Sequence, residues 1–238
     1  MKNKIIIYDD ACPLCNWYTD LFLKYGLLTP QGRRAFSEID GETLALLNTE
    51  RACNEIPLID TVTHEVFYGI DAMVEVLNDK FPIVKPIAHL KPINWFLRKL
   101  YKLISYNRKG IVAKVPSSIG FDCTPSYSYR YKKTFIAICF FVASMLIYFN
   151  VVTLFPTITA LIIIVGLIVT ILSIFTQDKN KLELYMQYQL QYMITSVLII
   201  PVFFLLKYSL YGALLLLFIV ITYSVYLGLQ RIRYIKAL

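Results

Sequence analysis

The stretch Tyr8-Asp9-Asp10-Ala11-Cys12-Pro13-Leu14-Cys15 decides the fold of the first half of the chain. It completes the apolar run Lys4–Tyr8, which predicts a buried first strand. The two acids and the alanine predict a turn. Pro13 suits the first turn of a helix, where its missing N–H costs nothing. The stretch therefore predicts a strand, a turn and a helix that begins with two cysteines one helical turn apart.

Two cysteines at this spacing favour thiol–disulfide chemistry. Unpaired N–H groups and the positive end of the helix dipole stabilise a thiolate, so Cys12 is the expected exposed nucleophile. Cys15, one turn further on, can attack the mixed disulfide that forms. Asp9 lies three residues before Cys12, and it either relays a proton during exchange or caps the loop; the sequence favours neither.

Zinc binding is the main alternative for this pair, and a vestigial pair without redox activity is a further one. A structural zinc site needs four ligands, usually as two tight pairs, but Cys53, Cys123, His64 and His89 are all isolated in the sequence. We therefore predict no metal, and no cofactor beyond the redox-active dithiol itself. Cys123 is interpreted as a linker residue in preference to a third redox thiol.

The residues that follow alternate between strand and helix patterns. The first helix is expected to run to about Leu28, with an apolar face that includes Trp17. The further elements are a strand at Ala35–Ile39, a helix over Asp40–Cys53, a strand at Leu58–Asp60, a strand at Val66–Tyr68 and a helix from Asp71 to about Asp79. The order β-α-β-α-β-β-α, with a dithiol at the start of the first helix, is the α/β thioredoxin-like layout.

Substrate contacts are expected from residues around the dithiol. In thioredoxin-like folds a cis-proline before the third strand faces the two cysteines, and Pro57 occupies that sequence position. Pro57 is therefore expected to face the dithiol, and the sequence leaves open whether the Ile56–Pro57 bond is cis, since most X-Pro bonds are trans. Pro13 and Trp17, which flank the cysteines, complete the predicted substrate-binding set.

The motif around Asp9, Cys12 and Cys15 resembles the DCC family of thiol–disulfide oxidoreductases, which is named for its Asp-x-x-Cys-x-x-Cys pattern. Two later segments, Tyr68–Ala72 and Tyr101–Arg108, are also similar to that family, and the resemblance covers about residues 4–110. The family implies a thioredoxin-like fold and disulfide reductase activity. Asp10 stands where glycine is usual, and a second carboxylate so close disfavours the Cys12 thiolate.

A basic connector follows the predicted core. Residues 80–129 contain nine Lys or Arg and one acid, and residues 93–106 predict a basic amphipathic helix. This helix can dock on the core, which we favour slightly, or lie on an anionic membrane surface; the two are compatible. The predicted domains are residues 1–115, a linker over residues 116–133 and a membrane region over residues 134–238.

The second half of the chain predicts an all-α polytopic membrane bundle. Each apolar run approaches the ~20 residues that cross a bilayer, and Pro201 should kink the third. The glutamines at 187, 189 and 191 either line a polar cleft or lie at the interface with water, and the interface is favoured. Cys139 is expected to pack as a small apolar residue. The four predicted transmembrane helices cover residues 134–155, 157–175, about 184–206 and 210–229.

Basic residues predict the orientation of this bundle. They cluster before the first span, between the second and third, and after the fourth, whereas Lys207 alone falls on the opposite side. The positive-inside rule then places both termini in the cytoplasm. The start of the chain does not match a signal peptide, and we expect an integral protein of a bacterial inner membrane.

The leading prediction is an enzyme, a membrane-anchored thiol–disulfide oxidoreductase of the protein-disulfide reductase type. Its expected partners are a disulfide-containing protein or small thiol, an electron donor of unassigned identity, and the lipid bilayer. The placement of basic residues beside apolar runs argues against nucleic-acid binding. Two alternatives stay open: a non-catalytic redox sensor or assembly module for the bundle, and a small transporter with a regulatory dithiol. The transporter is disfavoured because spans one, two and four lack charged residues.

Overall fold

The structure is a computed structural model that describes residues 3–113, 123, 125–151, 156–206 and 208–237. The described residues form two compact units: the first extends to Val112 and includes residues 123 and 125–128, and the second covers Ala113 and residues 129–237. Several sequence predictions lie outside the described residues. They are residues 116–122 and 124 of the linker, residues 152–155 of the first span, and Lys207.

A four-stranded mixed sheet forms the centre of the first unit, in the order β2-β1-β3-β4. Strands β1 and β2 are parallel, whereas β1 and β3, and β3 and β4, are antiparallel. This arrangement confirms the predicted α/β thioredoxin-like fold. The strands are β1 (Lys4–Tyr8), β2 (Arg33–Ala35), β3 (Pro57–Asp60) and β4 (Val66–Tyr68).

Six helices accompany this sheet among the described residues of the first unit. The predicted helix over residues 40–53 is in fact two, because the Asp40 side chain accepts from Thr43 N and the Asn48 side chain accepts from Arg51 N, so each caps its own helix. The predicted strand at residues 35–39 is β2 followed by a 3₁₀ turn. The helices are α1 (Pro13–Lys24), α2 (Gly41–Leu46), α3 (Thr49–Asn54), α4 (Ile70–Asn78), α5 (Val84–Ala88) and α6 (Lys91–Val112).

The two faces of the sheet are both buried, as the alternation of side chains along a strand requires. Ile6 and Leu58 pack on one face with residues of α4, and they are fully buried. Ile7 and Ile59, their chain neighbours, pack on the other face, where Cys123 joins the cluster. The dithiol helix therefore starts from a strand that is held between two apolar layers.

Helix α6 docks on the core, as predicted for the amphipathic segment. The Tyr101 hydroxyl accepts a hydrogen bond from Ile56 N at 2.9 Å, and Leu103 is buried. Gly69 allows this close approach: its φ is +60°, and a Cβ built there would lie 3.1 Å from the Tyr101 ring. The docking places the end of α6, including Arg108, in the interior of the unit.

The second unit is a helical bundle with four helices that are long and apolar enough to cross a membrane. The third of them breaks between α9 and α10, just before Pro201, as predicted. The first begins at Tyr129, five residues before the predicted start. The helices of the second unit are α7 (Tyr129–Val151), α8 (Pro156–Phe175), α9 (Lys179–Leu198), α10 (Ile200–Leu206) and α11 (Leu210–Lys236).

The expectation that the glutamines of α9 face water is wrong. Gln187 and Gln189 are buried, and Gln189 donates to Gly166 O at 2.7 Å and to Thr170 Oγ1 at 3.0 Å. Gln187 bonds to Glu183 and accepts from Arg231. Gln187 and the amide nitrogen of Gln189 thus find polar partners between the helices, whereas Gln189 Oε1 is buried without a hydrogen-bond partner in the described part of the chain.

Candidate active site

The two cysteines of the motif lie at the start of α1, as the sequence predicts. Cys12 is the N-cap residue in an extended conformation, and Pro13 opens the helix. Cys12 N donates to Asp9 O at 3.1 Å, and Cys15 N donates to Cys12 Sγ at 3.5 Å. The turn therefore directs the Cys12 sulfur back towards the first turn of the helix and towards Cys15.

The surroundings of Cys12 favour its thiolate. A hydrogen bond from the Cys15 thiol, a second from Cys15 N and the positive charge of Arg108 together lower the Cys12 pKa to about 6, although burial and Asp9 oppose them. At neutral pH this thiol is therefore mostly ionised. A low pKa on the first cysteine of the pair matches the role of attacking group.

Cys15 has the opposite character. Its hydrogen bond to Cys12 and its burial raise the Cys15 pKa far above that of a free thiol, while the charge of Arg108 acts in the other direction. The Tyr18 hydroxyl, whose own pKa is raised by burial, shares a hydrogen bond with Cys15. The pair is thus one thiolate and one protonated thiol within a single helical turn.

The sequence prediction that Cys12 is exposed is wrong. Only 3% of Cys12 is exposed, and Cys15 is similarly buried. The physical reason is the capping role of Cys12, because a sulfur that accepts from the helix N–H groups lies over the helix start and not outwards. Trp17, one turn along α1, is in contrast 61% exposed.

A buried ion pair connects the dithiol turn to the end of α6. Arg108 donates to Asp9 Oδ2 at 2.9 Å, and both side chains are almost wholly buried. The other carboxylate oxygen of Asp9 accepts from Ala11 N at 3.1 Å. Asp9 therefore has a visible structural role as a cap of the turn and as the partner of a cation.

Comparison with protein families bears on these residues directly. Residues 6–114 match the family model described as DCC1-like thiol-disulfide oxidoreductase. The first unit carries a DCC1-like domain. The match includes Asp9, both cysteines and Arg108, so the resemblance predicted from the motif is confirmed. Comparisons with curated proteins and with solved structures found no match.

Arg108 is the residue of the DCC1-like domain that sequence reasoning missed as part of the site. The sequence identifies it only as the end of the Tyr101–Arg108 segment. The available signal was chemical: an arginine that falls on the apolar side of an amphipathic helix needs a buried anion. Asp9, 99 residues away, supplies that anion.

Asp10 is not among the groups that chiefly set the pKa of Cys12. Its carboxylate accepts from Ser37 Oγ at 2.9 Å, and its carbonyl accepts from the Asn16 amide at 2.9 Å. The carboxylate that opposes the Cys12 thiolate is Asp9, whose charge is balanced by Arg108. The Asp10 carboxylate is satisfied at one oxygen only, because Oδ1 is buried without a hydrogen-bond partner among the described residues.

Pro57 is the first residue of β3 and lies beside the end of β1, from which the chain leads into the dithiol turn. The pairing of Ile6 with Leu58 places the start of β3 beside the end of β1, and Pro57 is fully buried. No cis peptide occurs among the described residues, so the Ile56–Pro57 bond is trans and Pro57 is not the cis-proline of the thioredoxin-like layout. The extended pairing of Pro57 with Tyr68, together with the bond from Gly69 N to Ile56 O, fits a trans chain.

The remaining predicted contact residues of the DCC1-like domain lie on α1. Pro13 is half-buried at its first turn, and Trp17 projects into solvent. No group of three or more His, Cys, Asp or Glu side chains suited to a metal ion occurs in the described part of the chain. The site is thus built from one dithiol, one buried ion pair and one exposed aromatic side chain.

Proposed function

We propose that this protein is a membrane-anchored thiol–disulfide oxidoreductase of the protein-disulfide reductase type, with Cys12 as nucleophile and Cys15 as resolving thiol. The observation that carries the proposal is the asymmetry of the pair. Cys12 has a pKa of about 6, whereas the pKa of Cys15 is raised. Thiol–disulfide exchange proceeds by attack of a thiolate, so the cysteine with the low pKa is the one expected to attack first.

The proposed reaction has two exchange steps. The Cys12 thiolate attacks one sulfur of a substrate disulfide, a mixed disulfide forms, and the other substrate sulfur leaves as a thiolate. Cys15 then loses its proton to that leaving thiolate and attacks the Cys12 sulfur. This attack releases the second substrate sulfur as a thiolate, which takes a proton from water. The products are the Cys12–Cys15 disulfide and a fully reduced substrate, so two electrons have moved from the dithiol to the substrate, together with one proton from Cys15 and one from water.

Asp9 and Arg108 act in this proposal as positioning residues. The Arg108 charge favours the thiolate of Cys12, and the Asp9 carboxylate holds the guanidinium at 2.9 Å. A proton relay through Asp9 remains a proposal, which its buried place beside the dithiol turn supports. Pro13 and Trp17 would meet the substrate, and Pro57 would border it from β3.

The proposed setting is the cytoplasmic face of a bacterial inner membrane, with both termini in the cytoplasm. Four apolar helices and the placement of basic residues at their ends support this orientation. In a reducing compartment the net direction is substrate reduction, with a small thiol or a dithiol protein as electron donor. A membrane-impermeant thiol reagent tests the side: slow labelling of Cys12 in intact cells is expected, and rapid labelling would contradict it.

Turnover by the purified full-length protein tests the chemistry. The assay uses a peptide disulfide in excess and a small thiol as reductant, and it compares the wild type with Cys12→Ser. We expect the variant to lose the catalysed rate, while Cys139→Ser, which replaces a lone thiol in α7, keeps it. Equal rates for the wild type and Cys12→Ser would remove Cys12 from the mechanism.

A redox sensor is the second candidate, and the burial of both thiols favours it. A sensor would accept oxidation once and would not release many equivalents of reduced substrate. The same assay separates the two functions. Product in large excess over protein supports the enzyme, and product that stops at one equivalent per dithiol supports the sensor.

A further inference from the structure

A second pair of thiols lies in the first unit, outside the dithiol site. Cys123 is 1% exposed and joins the apolar cluster on the face of the sheet opposite α1, and Cys53 packs against the same cluster. The two thiols share a hydrogen bond, which together with burial raises the pKa of Cys123. Seventy residues apart in sequence, they are neighbours in the fold.

The segment that carries Cys123 is held on α3 by a second, independent contact. The Asn54 amide donates to Ser126 Oγ at 3.0 Å, and Ser126 N donates to Asn54 Oδ1 at 2.8 Å. Asn54 follows Cys53 directly at the end of α3. Cys53 thus meets Cys123, and the next residue, Asn54, meets Ser126. The approach of the two thiols is therefore part of a wider contact between α3 and this segment.

This interface is also connected to the dithiol site. Arg108 donates to the carbonyl oxygen of Cys123 as well as to Asp9. Ser105, one turn earlier on α6, donates to Asn54 O. One end of α6 therefore contacts the dithiol turn, the end of α3 and the Cys123 segment.

We propose that Cys53 and Cys123 form a second redox couple, which closes to a disulfide and ties the segment before α7 to the thioredoxin-like core. The pair goes beyond the proposed function, because it does not require turnover at Cys12. Cys123 precedes α7, the first candidate span, by six residues. Oxidation would thus add a covalent tie between the core and the chain that enters the membrane region.

The oxidant is a small disulfide such as oxidised glutathione. Cys53 is the accessible partner because it is only partly buried. Its thiolate attacks one sulfur of the small disulfide, a mixed disulfide forms at Cys53, and one small thiolate leaves. Cys123 gives its proton to the leaving thiolate and attacks the Cys53 sulfur, which releases the second small thiol. Two electrons pass from the protein pair to the small disulfide.

The test uses the full-length protein in detergent, in the double variant Cys12→Ser/Cys15→Ser, treated with oxidised glutathione. After denaturation and alkylation, trypsin places Cys53 in the peptide 52–80 and Cys123 in the peptide 115–130. We expect these two peptides to be recovered as one cross-linked species that has lost two hydrogen atoms. Cys139 should stay a free thiol during the treatment and should therefore be recovered in its alkylated form, which serves as an internal control.

Removal of one partner provides the matched control. With Cys123→Ser in the same background, we expect Cys53 to keep a glutathione adduct, because no second thiol resolves it. Two results would overturn the proposal: a stable glutathione adduct on Cys53 while Cys123 is present, or free thiols at both positions under conditions that oxidise Cys12 and Cys15 in the wild type. Detection of the cross-link in the wild type guards against a folding defect of the double variant.

Discussion

The guanidinium of Arg108 lies 2.9 Å from the Asp9 carboxylate, and the pair is buried beside the dithiol turn. The two residues come from opposite ends of the DCC1-like domain. Arg108 lowers the pKa of Cys12 through its charge, and Asp9 raises it. The pair therefore sets a local field whose net sign at Cys12 depends on both partners.

Arg108→Gln should raise the pKa of Cys12. In the wild type, alkylation of Cys12 by a small reagent should rise with pH through about 6 and then level off. Without the cation we expect this midpoint to move upward by about one unit or more, as for other thiols and carboxylates that lose a close opposite charge. The pH dependence of the alkylation rate measures the shift.

Arg98→Gln is the matched control for this experiment. Arg98 lies on the same helix and pairs with Asp71 at 2.8 Å, but this pair is exposed. An equal upward shift in both variants would contradict a specific role of Arg108.

In the reduced wild type, the pKa of folded Cys12 is below its unfolded value. The thiolate's contribution to stability is therefore complete above the unfolded pKa and is lost as pH falls through about 6.

Breaking the buried pair should also destabilise the first unit. Asp9→Asn leaves the buried Arg108 without its anion, and loss of one partner of a buried ion pair costs about 3–5 kcal/mol. Asp71→Asn, which breaks the exposed pair with Arg98, should cost less than about 1 kcal/mol. Amide hydrogen exchange in β1, measured on the full chain, gives the free energy of opening. Similar losses in the two variants would refute the distinction.

Gly69→Ala should destabilise the docking of α6. Gly69 has a φ of +60°, and an added Cβ would lie 3.1 Å from Tyr101. We expect a cost of about 1–3 kcal/mol from the backbone conformation alone. Gly41→Ala is the control, because nothing lies within 4 Å of its built Cβ. Hydrogen exchange in α6 should rise in the first variant only, and unchanged exchange there would contradict the expectation.

We expect α6 to contact an anionic membrane through its exposed apolar side chains. Trp95 is 64% exposed and Phe96 is its exposed neighbour, with Lys99 one turn from Trp95. In vesicles that contain anionic and brominated lipids, we expect strong quenching of Trp95 in the Trp17→Phe variant. Trp17 is the only other tryptophan and is similarly exposed. Its quenching, measured in the Trp95→Phe variant, is the control and should be weak. Equal quenching of the two would argue against membrane contact by α6.

Local patterns predicted those parts of the fold that depend on neighbours in sequence. The start of α1 at Pro13, the strand Val66–Tyr68 and the break before Pro201 all follow from propensity and spacing. The end of α1 did not, because the apolar pattern continues to Leu28. Gly26, with a φ of +64°, stops the helix, and Leu28 enters the core as part of a loop.

Contacts between distant segments had no periodic signature and were missed. The pairing of Arg108 with Asp9 and the approach of Cys123 to Cys53 depend on how α6 and α3 pack on the sheet. The burial of Cys12 was missed for a different reason. Its identity as a helix start was predicted, but the direction of its sulfur is set by the capping hydrogen bond.

The most direct test of the central claim is to trap the proposed intermediate. The full-length Cys15→Ser variant is mixed with a peptide disulfide, quenched with acid and examined by mass spectrometry, and Cys12→Ser is treated in the same way. Separate roles for the two cysteines predict a stable mixed disulfide on Cys12 in the first variant and none on Cys15 in the second. Adducts of equal yield in both variants, or none in Cys15→Ser, would contradict the assignment of Cys12 as nucleophile.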